Sequence, residues 1–191
     1  WLGVYLEPKV LSAIWFTIWQ AAVSTLICLV IGIPGAYILY RKKFRGQKFI
    51  RALITVPLVM PTIVVAISFA NFKFIPAVPL ILMAHVFVNY SLIVRTVGGV
   101  WSTMDNETEE AAELAGAGRL RTLVSITLPQ IKTAIISASA LVFLFCSSSY
   151  GIILILGGGM VRSVETEIAS AALTYLDLPK ASALALLQTA I

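Results

Sequence analysis

An all-α, polytopic membrane helix bundle is the fold class this sequence predicts, on three observations. Of its 191 residues 59% are hydrophobic and 12% charged, several apolar segments are long enough to cross a bilayer, and basic residues gather in loops on one side. Soluble domains average about 45–50% apolar and about 25% charged residues, so this composition places the chain in a membrane. The net charge of +5 does not point to nucleic acid, because no basic stripe with interleaved aromatic residues is present. Cys28 and Cys146 lie inside apolar runs without a CxxC spacing, and are read as small buried hydrophobes with no metal site.

A membrane helix needs about 20 mostly apolar residues, because the hydrocarbon core is about 30 Å thick and each backbone amide needs an internal partner. Four segments meet this requirement, at 13–40, 50–70, 79–97 and 131–156, and a fifth starts near Ala181. The loop between the first two, residues 41–51, holds Arg41, Lys42, Lys43, Arg45, Lys48 and Arg51, and is therefore cytoplasmic. Ten Lys or Arg then fall on the inner side and four, Lys9, Lys73, Arg162 and Lys180, on the outer. Trp1, Tyr5, Trp15 and Trp19 mark the outer interface of the first span, and Tyr40, Phe44 and Trp101 the inner one.

Pro57 and Pro61, four residues apart in the second span, each remove an amide donor and predict a kink there. The third span carries His85, Asn89 and Arg95, and the fourth carries Cys146, Ser147, Ser148, Ser149 and Tyr150. Polar groups at membrane depth face a bundle interior or a water-filled path. His85, Asn89, Ser147, Ser148 and Ser149 are thus candidates for a substrate path, with interhelical hydrogen bonding and close packing as the alternative. Arg95 reaches for the headgroups. Gly157, Gly158 and Gly159 form an outer turn, since no GxxxxGK[ST] pattern accompanies them. The outer stretch 157–180 also holds a short helix over 164–175, opened by Glu165 and Glu167.

The segment 105–129 is a charged hairpin between two spans. Asn106 or Thr108 is expected to cap a helix whose first turn carries Glu107, Glu109 and Glu110. Ala111, Ala112 and Ala115 give that helix a small-residue face suited to a cleft, and Gly116 and Gly118 allow a bend. Beyond the bend Leu120, Leu123, Val124, Ile126 and Leu128 follow helical spacing, and Pro129 stands where the fourth span begins.

Glu110-Ala111-Ala112, three residues, Gly116, nine residues, Ile126, one residue, then Leu128-Pro129 resembles in residue type and spacing the EAA loop of importer permeases. These are the membrane subunits of binding-protein-dependent ATP-binding-cassette importers. The segments 84–95, 143–159 and 165–188 are similar to thiamine and ferric-iron permeases, in which two such halves are fused, so the chain resembles an N-terminal half or truncated chain. The resemblance implies a single permease domain over 1–191, of the type I importer class, in the bacterial inner membrane. It implies that Glu110, Ala111, Ala112, Gly116, Gly118, Ile126, Leu128 and Pro129 couple the chain to a cytoplasmic ATP-binding subunit. Further implied partners are a second permease half or copy, an extracytoplasmic substrate-binding protein and membrane lipid, with no nucleic acid. No catalytic residue or cofactor belongs to the chain on this reading; ATP and Mg are used by the partner ATPase. The implied cargo is thiamine or ferric iron, with a polyamine, sulfate or phosphonate as the alternative, and a channel or scaffold as a different class.

Overall fold

The computed structural model describes residues 2–105 and 107–191, and their side chains except those of Leu2, Glu113 and Arg119. The anchoring ring expected at Trp1 and the cap expected at Asn106 lie outside the described residues. Helices make up 81% of the described residues, and there is no strand among them. A short α1 (Leu2–Tyr5) precedes α2 (Pro8–Arg41); α3 (Gln47–Leu53), α4 (Val56–Val59) and α5 (Thr62–Phe69) lead to α6 (Ala77–Thr103). The hairpin is α7 (Glu107–Leu114) and α8 (Arg119–Thr122); then come α9 (Leu128–Ser147), α10 (Tyr150–Gly157), α11 (Val164–Ala169) and α12 (Leu178–Ala190).

Among the described residues, α2, α6 and the run from Leu120 to Ser147 are long and apolar enough to cross a membrane. These three pack together through small and β-branched side chains. Ala21, Cys28 and Ala36 of α2 meet Ile93 and Val97 of α6 and Ala138 of α9 in one fully buried cluster. Small residues permit such close backbone approach, which matters in lipid because apolar surface alone gives helices no reason to associate. Two glycines mark close approaches of α2 and α6: a Cβ at Gly98 would lie 2.2 Å from Tyr40 Cδ2, and one at Gly32 would lie 2.7 Å from Ile93 Cγ2. Cys28 and Cys146 are buried, unbridged thiols.

A second buried cluster joins α5, α6 and α10 through Val65, Ile81, Ala84 and Ile153, and a third joins Val10, Val164 and Leu184. The bundle therefore has two distinct ends. At one, Tyr5 Oη donates to the Ala183 carbonyl at 3.1 Å and Lys180 Nζ meets Glu7 at 2.5 Å. At the other, the basic loop lies beside the hairpin, with Arg41 donating to the Met104 carbonyl at 3.5 Å. This agrees with the charge-derived orientation, which puts the basic loop and the hairpin on one side.

Two of the expected spans are broken rather than continuous. The second, read as one helix over 50–70, is α3, α4 and α5, and the segment Gln47–Val59 meets α5 at 95°. Pro61 is the cause: its ring clashes with helical backbone at the preceding residue, and Met60 is accordingly extended, with ψ 138°. The fourth, read as one helix over 131–156, stops at Ser147 and resumes at Tyr150, with Ser149 extended at ψ 97°. No proline forces this break.

Neighbouring helices instead stabilise it by pairing the carbonyls it frees. Gln20 Nε2 of α2 donates to the Cys146 carbonyl at 2.8 Å, and Gln188 Nε2 of α12 donates to the Ser147 carbonyl at 3.1 Å. Gln20 is fully buried. Its replacement by Leu leaves a carbonyl unpaired in a low-dielectric interior, with an expected destabilisation of about 1–3 kcal/mol. Thermal unfolding in detergent checks this, and Gln188→Leu, at a half-buried position, is expected to cost less.

Beyond α10 the chain follows most of the expected pattern. Gly157, expected in the turn, is the last helical residue, and the left-handed Gly158 and Gly159 turn the chain; Ser163 with Thr166 forms a reciprocal capping box that starts α11. The helix widens into a π-type turn over Ser170–Thr174, completing the stretch expected over 164–175. The Val164 amide donates to Thr17 Oγ1 at 3.0 Å and seats α11 on α2. Asp177 caps α12 by accepting the Lys180 amide at 3.1 Å, so the fifth apolar segment begins at Leu178, slightly before Ala181.

Candidate coupling hairpin

The helix α7 begins with the Glu107 amide donating to Asp105 Oδ1 at 3.1 Å. The expectation of a Thr108 cap is corrected here: Thr108 lies inside the first turn, and Asp105 supplies the carboxylate. Glu107, Glu109 and Glu110 all fall in that turn, beside the positive end of the helix dipole.

The other end of α7 is closed by a Schellman arrangement. The Ala117 amide donates to the Ala112 carbonyl at 2.9 Å, with Gly116 left-handed at φ 86° between them. A side chain at that φ clashes with its own backbone, so the residue type is dictated by the turn. Gly118 does not share this conformation, and its carbonyl accepts the Thr122 amide at 3.0 Å.

From Arg119 the chain is helical through α8, a π-type widening over Leu123–Thr127, and α9. Pro129 follows directly on the π-type widening, where the helix is already departing from regular i→i−4 pairing. Leu123 and Leu128 pack against the main buried cluster, and Thr127 is buried. The second arm of the hairpin thus continues directly into a membrane-spanning helix.

The residues singled out from sequence divide by exposure. Glu110, Ala111, Gly116, Gly118 and Pro129 are exposed; Ala112, Ile126 and Leu128 are half-buried. Around them Leu114 keeps 90% and Leu120 79% of their accessible surface. Exposed apolar and small side chains on this hairpin form a surface fit for a protein partner.

Glu109, Arg41 and Thr127 were not among the sequence candidates. The Glu109 carboxylate accepts from the Arg41 guanidinium and from Thr127 Oγ1, the latter at 2.6 Å. The available signal was an acidic pair at a helix start with a basic residue ending the preceding long span.

The candidate path residues are dispersed. His85 and Asn89 are buried within the chain's own bundle, and Asn89 Nδ2 donates to the His85 carbonyl at 3.0 Å and reaches Cys146 Sγ at 3.6 Å. Ser147 and Ser149 are buried and Ser148 is exposed, all at the break between α9 and α10. Asn89 is therefore brought to the break, while Ser148 faces outward. At the end of the bundle away from the hairpin, a cleft of about 400 Å³ is lined by Glu7, Lys9, Arg162, Glu167, Tyr175 and Lys180 among others. Arg162 and Glu167 pair there at 2.9 Å, which raises the guanidinium pKa, and burial raises that of nearby Glu165.

The family described as binding-protein-dependent transport system inner membrane component matches residues 28–190. The chain belongs to this family. Among relatives of these permeases, the molybdate/tungstate transport system permease protein of Pyrococcus furiosus is 35% identical over 78% of this chain and 61% of its own length. The sulfate transport system permease protein of Escherichia coli is 30% identical over 95% of this chain and 72% of its own. The thiamine transport system permease protein of Brucella abortus is 29% identical over 90% and 35% respectively. The chain thus spans about three fifths of the first of these relatives. A bacterial ABC transporter that imports alginate shares the fold at TM-score 0.76 and 14% identity, covering 97% of this chain and 76% of that one. An inward-facing methionine ABC transporter does so at TM-score 0.74 and 16% identity, covering 96% and 90%.

Proposed function

We propose that this permease is the membrane-spanning part of an ATP-driven importer in a bacterial inner membrane, and that α7 and its turn dock into a separate ATPase subunit. The observation that carries the reading is the exposed, Schellman-closed α7, whose second arm runs unbroken into α9. A partner seated on α7 pushes a helix that crosses the bilayer. The chain acts by conformational change; ATP hydrolysis, with Mg, belongs to the partner. A second permease half or copy completes the path, and an outer binding protein delivers cargo to the end formed by α11 and α12.

For the cargo, a tetrahedral oxyanion such as sulfate or molybdate is favoured over thiamine or ferric iron. The support is the identity to oxyanion permeases, 35% and 32% for two molybdate/tungstate proteins and 30% for the sulfate protein, beside 29% for the thiamine protein. Thiamine stands as the second reading, supported by the 90% of this chain that aligns with that relative.

Glu110→Lys tests the docking. An exposed carboxylate reversed in charge is expected to leave membrane insertion unchanged and to reduce recovery of the ATPase with the tagged permease. Equal recovery from both membranes removes the docking role of Glu110. Identifying the ligand held by the co-purified outer binding protein tests the cargo: sulfate, molybdate or tungstate is expected, and thiamine or ferric ion overturns that choice.

A further inference from the structure

Two adjacent glutamates at the start of α7 face opposite ways. Glu110 is exposed, whereas the Glu109 carboxylate turns inward to the Arg41 guanidinium at the end of α2 and to Thr127 Oγ1 at the foot of α9. The same guanidinium donates to the Met104 carbonyl, which ends α6. A single carboxylate therefore connects, directly or through Arg41, the cytoplasmic ends of three long helices. The pair is well shielded, with 14% of the Arg41 and 21% of the Glu109 side-chain surface left to solvent, and Thr127 is 3% exposed.

Apolar packing does not hold α7 in place. None of its described side chains is fully buried, and Leu114 at its tip is 90% exposed. The attachment of α7 to the bundle rests on polar contacts, and an ion pair removed from water is costly to break on one side, since the remaining charge stays buried without its partner. A hydroxyl donating to a carboxylate is a charge-assisted bond and adds directional definition.

We propose that Glu109 is the positioning residue of the coupling hairpin. It clamps α7 to the inner ends of α2, α6 and α9, so that displacement of the hairpin moves the three helices as one body. Glu110 faces the partner and Glu109 faces the bundle. This rests on the reading of α7 as the ATPase contact, and the test separates the two.

A nitroxide is attached to Leu114→Cys in the full chain, assembled with its ATPase in lipid; Cys28 and Cys146 are buried and stay unlabelled. With Glu109 present, the spectrum is expected to show an immobilised component. Glu109→Gln and Arg41→Gln each lose it, the combined swap Arg41→Glu with Glu109→Arg recovers it, and Thr127→Val reduces it without abolishing it. Glu107→Gln, at an exposed carboxylate of the same turn that lies outside the docking set, leaves it intact. An unchanged spectrum in Glu109→Gln overturns the proposal, as does equal mobilisation by Glu107→Gln. Should the swap fail to assemble, the contrast between Glu109→Gln and Glu107→Gln still decides. Crosslinking from Ala111→Cys to the ATPase, measured in the same samples, reports the docking itself. Its absence in the otherwise wild-type chain removes the ATPase reading, while the mobility contrast reports the clamp independently.

Discussion

Gly116→Val is expected to leave the chain inserted in the membrane and to abolish its coupling to the ATPase. The Schellman turn holds residue 116 at φ 86°. An L-residue there costs about 1–2 kcal/mol, and a β-branched one more, because Cβ meets the following carbonyl. The chain relieves that strain by unwinding the end of α7, which opens the bond from the Ala117 amide to the Ala112 carbonyl and misdirects the exposed alanine face. Insertion depends on the apolar spans, which this change does not touch. Gly118→Ala is the control, because Gly118 is not left-handed and a Cβ there meets nothing within 4 Å. Immunoblots of the membrane fraction with ATPase recovery on the tagged chain give the comparison. Full recovery with Gly116→Val contradicts the account of the turn.

Gly32→Ala is expected to damage the fold itself. The new Cβ would stand 2.7 Å from Ile93 Cγ2 and 2.8 Å from Ile93 Cβ. An atom next to the backbone cannot swing aside as the end of a long side chain can, so α2 and α6 must separate. Overpacking of this kind costs about 1–3 kcal/mol. Because the same helices carry Arg41 and the Met104 carbonyl at their inner ends, separation also loosens the hairpin clamp. A lowered thermal midpoint in detergent is expected, and Ile93→Ala in the same chain restores part of it by vacating the space. A midpoint equal to wild type would mean that the two helices are not in contact at this level.

The parts of this fold that one side chain type dictates were legible in the sequence. The positions of the three long helices follow from apolar length, and the turn at Gly116 from the spacing of the EAA pattern. The broken spans were less accessible. Pro57 and Pro61 indicated a kink, but a 95° bend depends on what fills the corner. The break after Ser147 carries no local signal, because Gln20, 126 residues before the Cys146 carbonyl it meets, and Gln188 supply the donors that stabilise it. Nor does sequence separate Glu109 from Glu110. One residue is a rotation of about 100° about a helix, enough to send one carboxylate into the bundle and the other into solvent. His85 and Asn89 were singled out by residue type, yet burial within the chain's own bundle is a tertiary outcome.

The central claim is that α7 is a cytoplasmic foot held by an ATPase, and one labelling experiment addresses it directly. A membrane-impermeant thiol reagent is applied from either side to Ala111→Cys and, separately, to Met160→Cys, an outer-turn position with 87% exposure. Position 111 is expected to react only from the inner face and to be protected when the ATPase is present, and position 160 only from the outer face. Reaction of position 111 from the outer face, or the same reaction with and without the ATPase, contradicts the account.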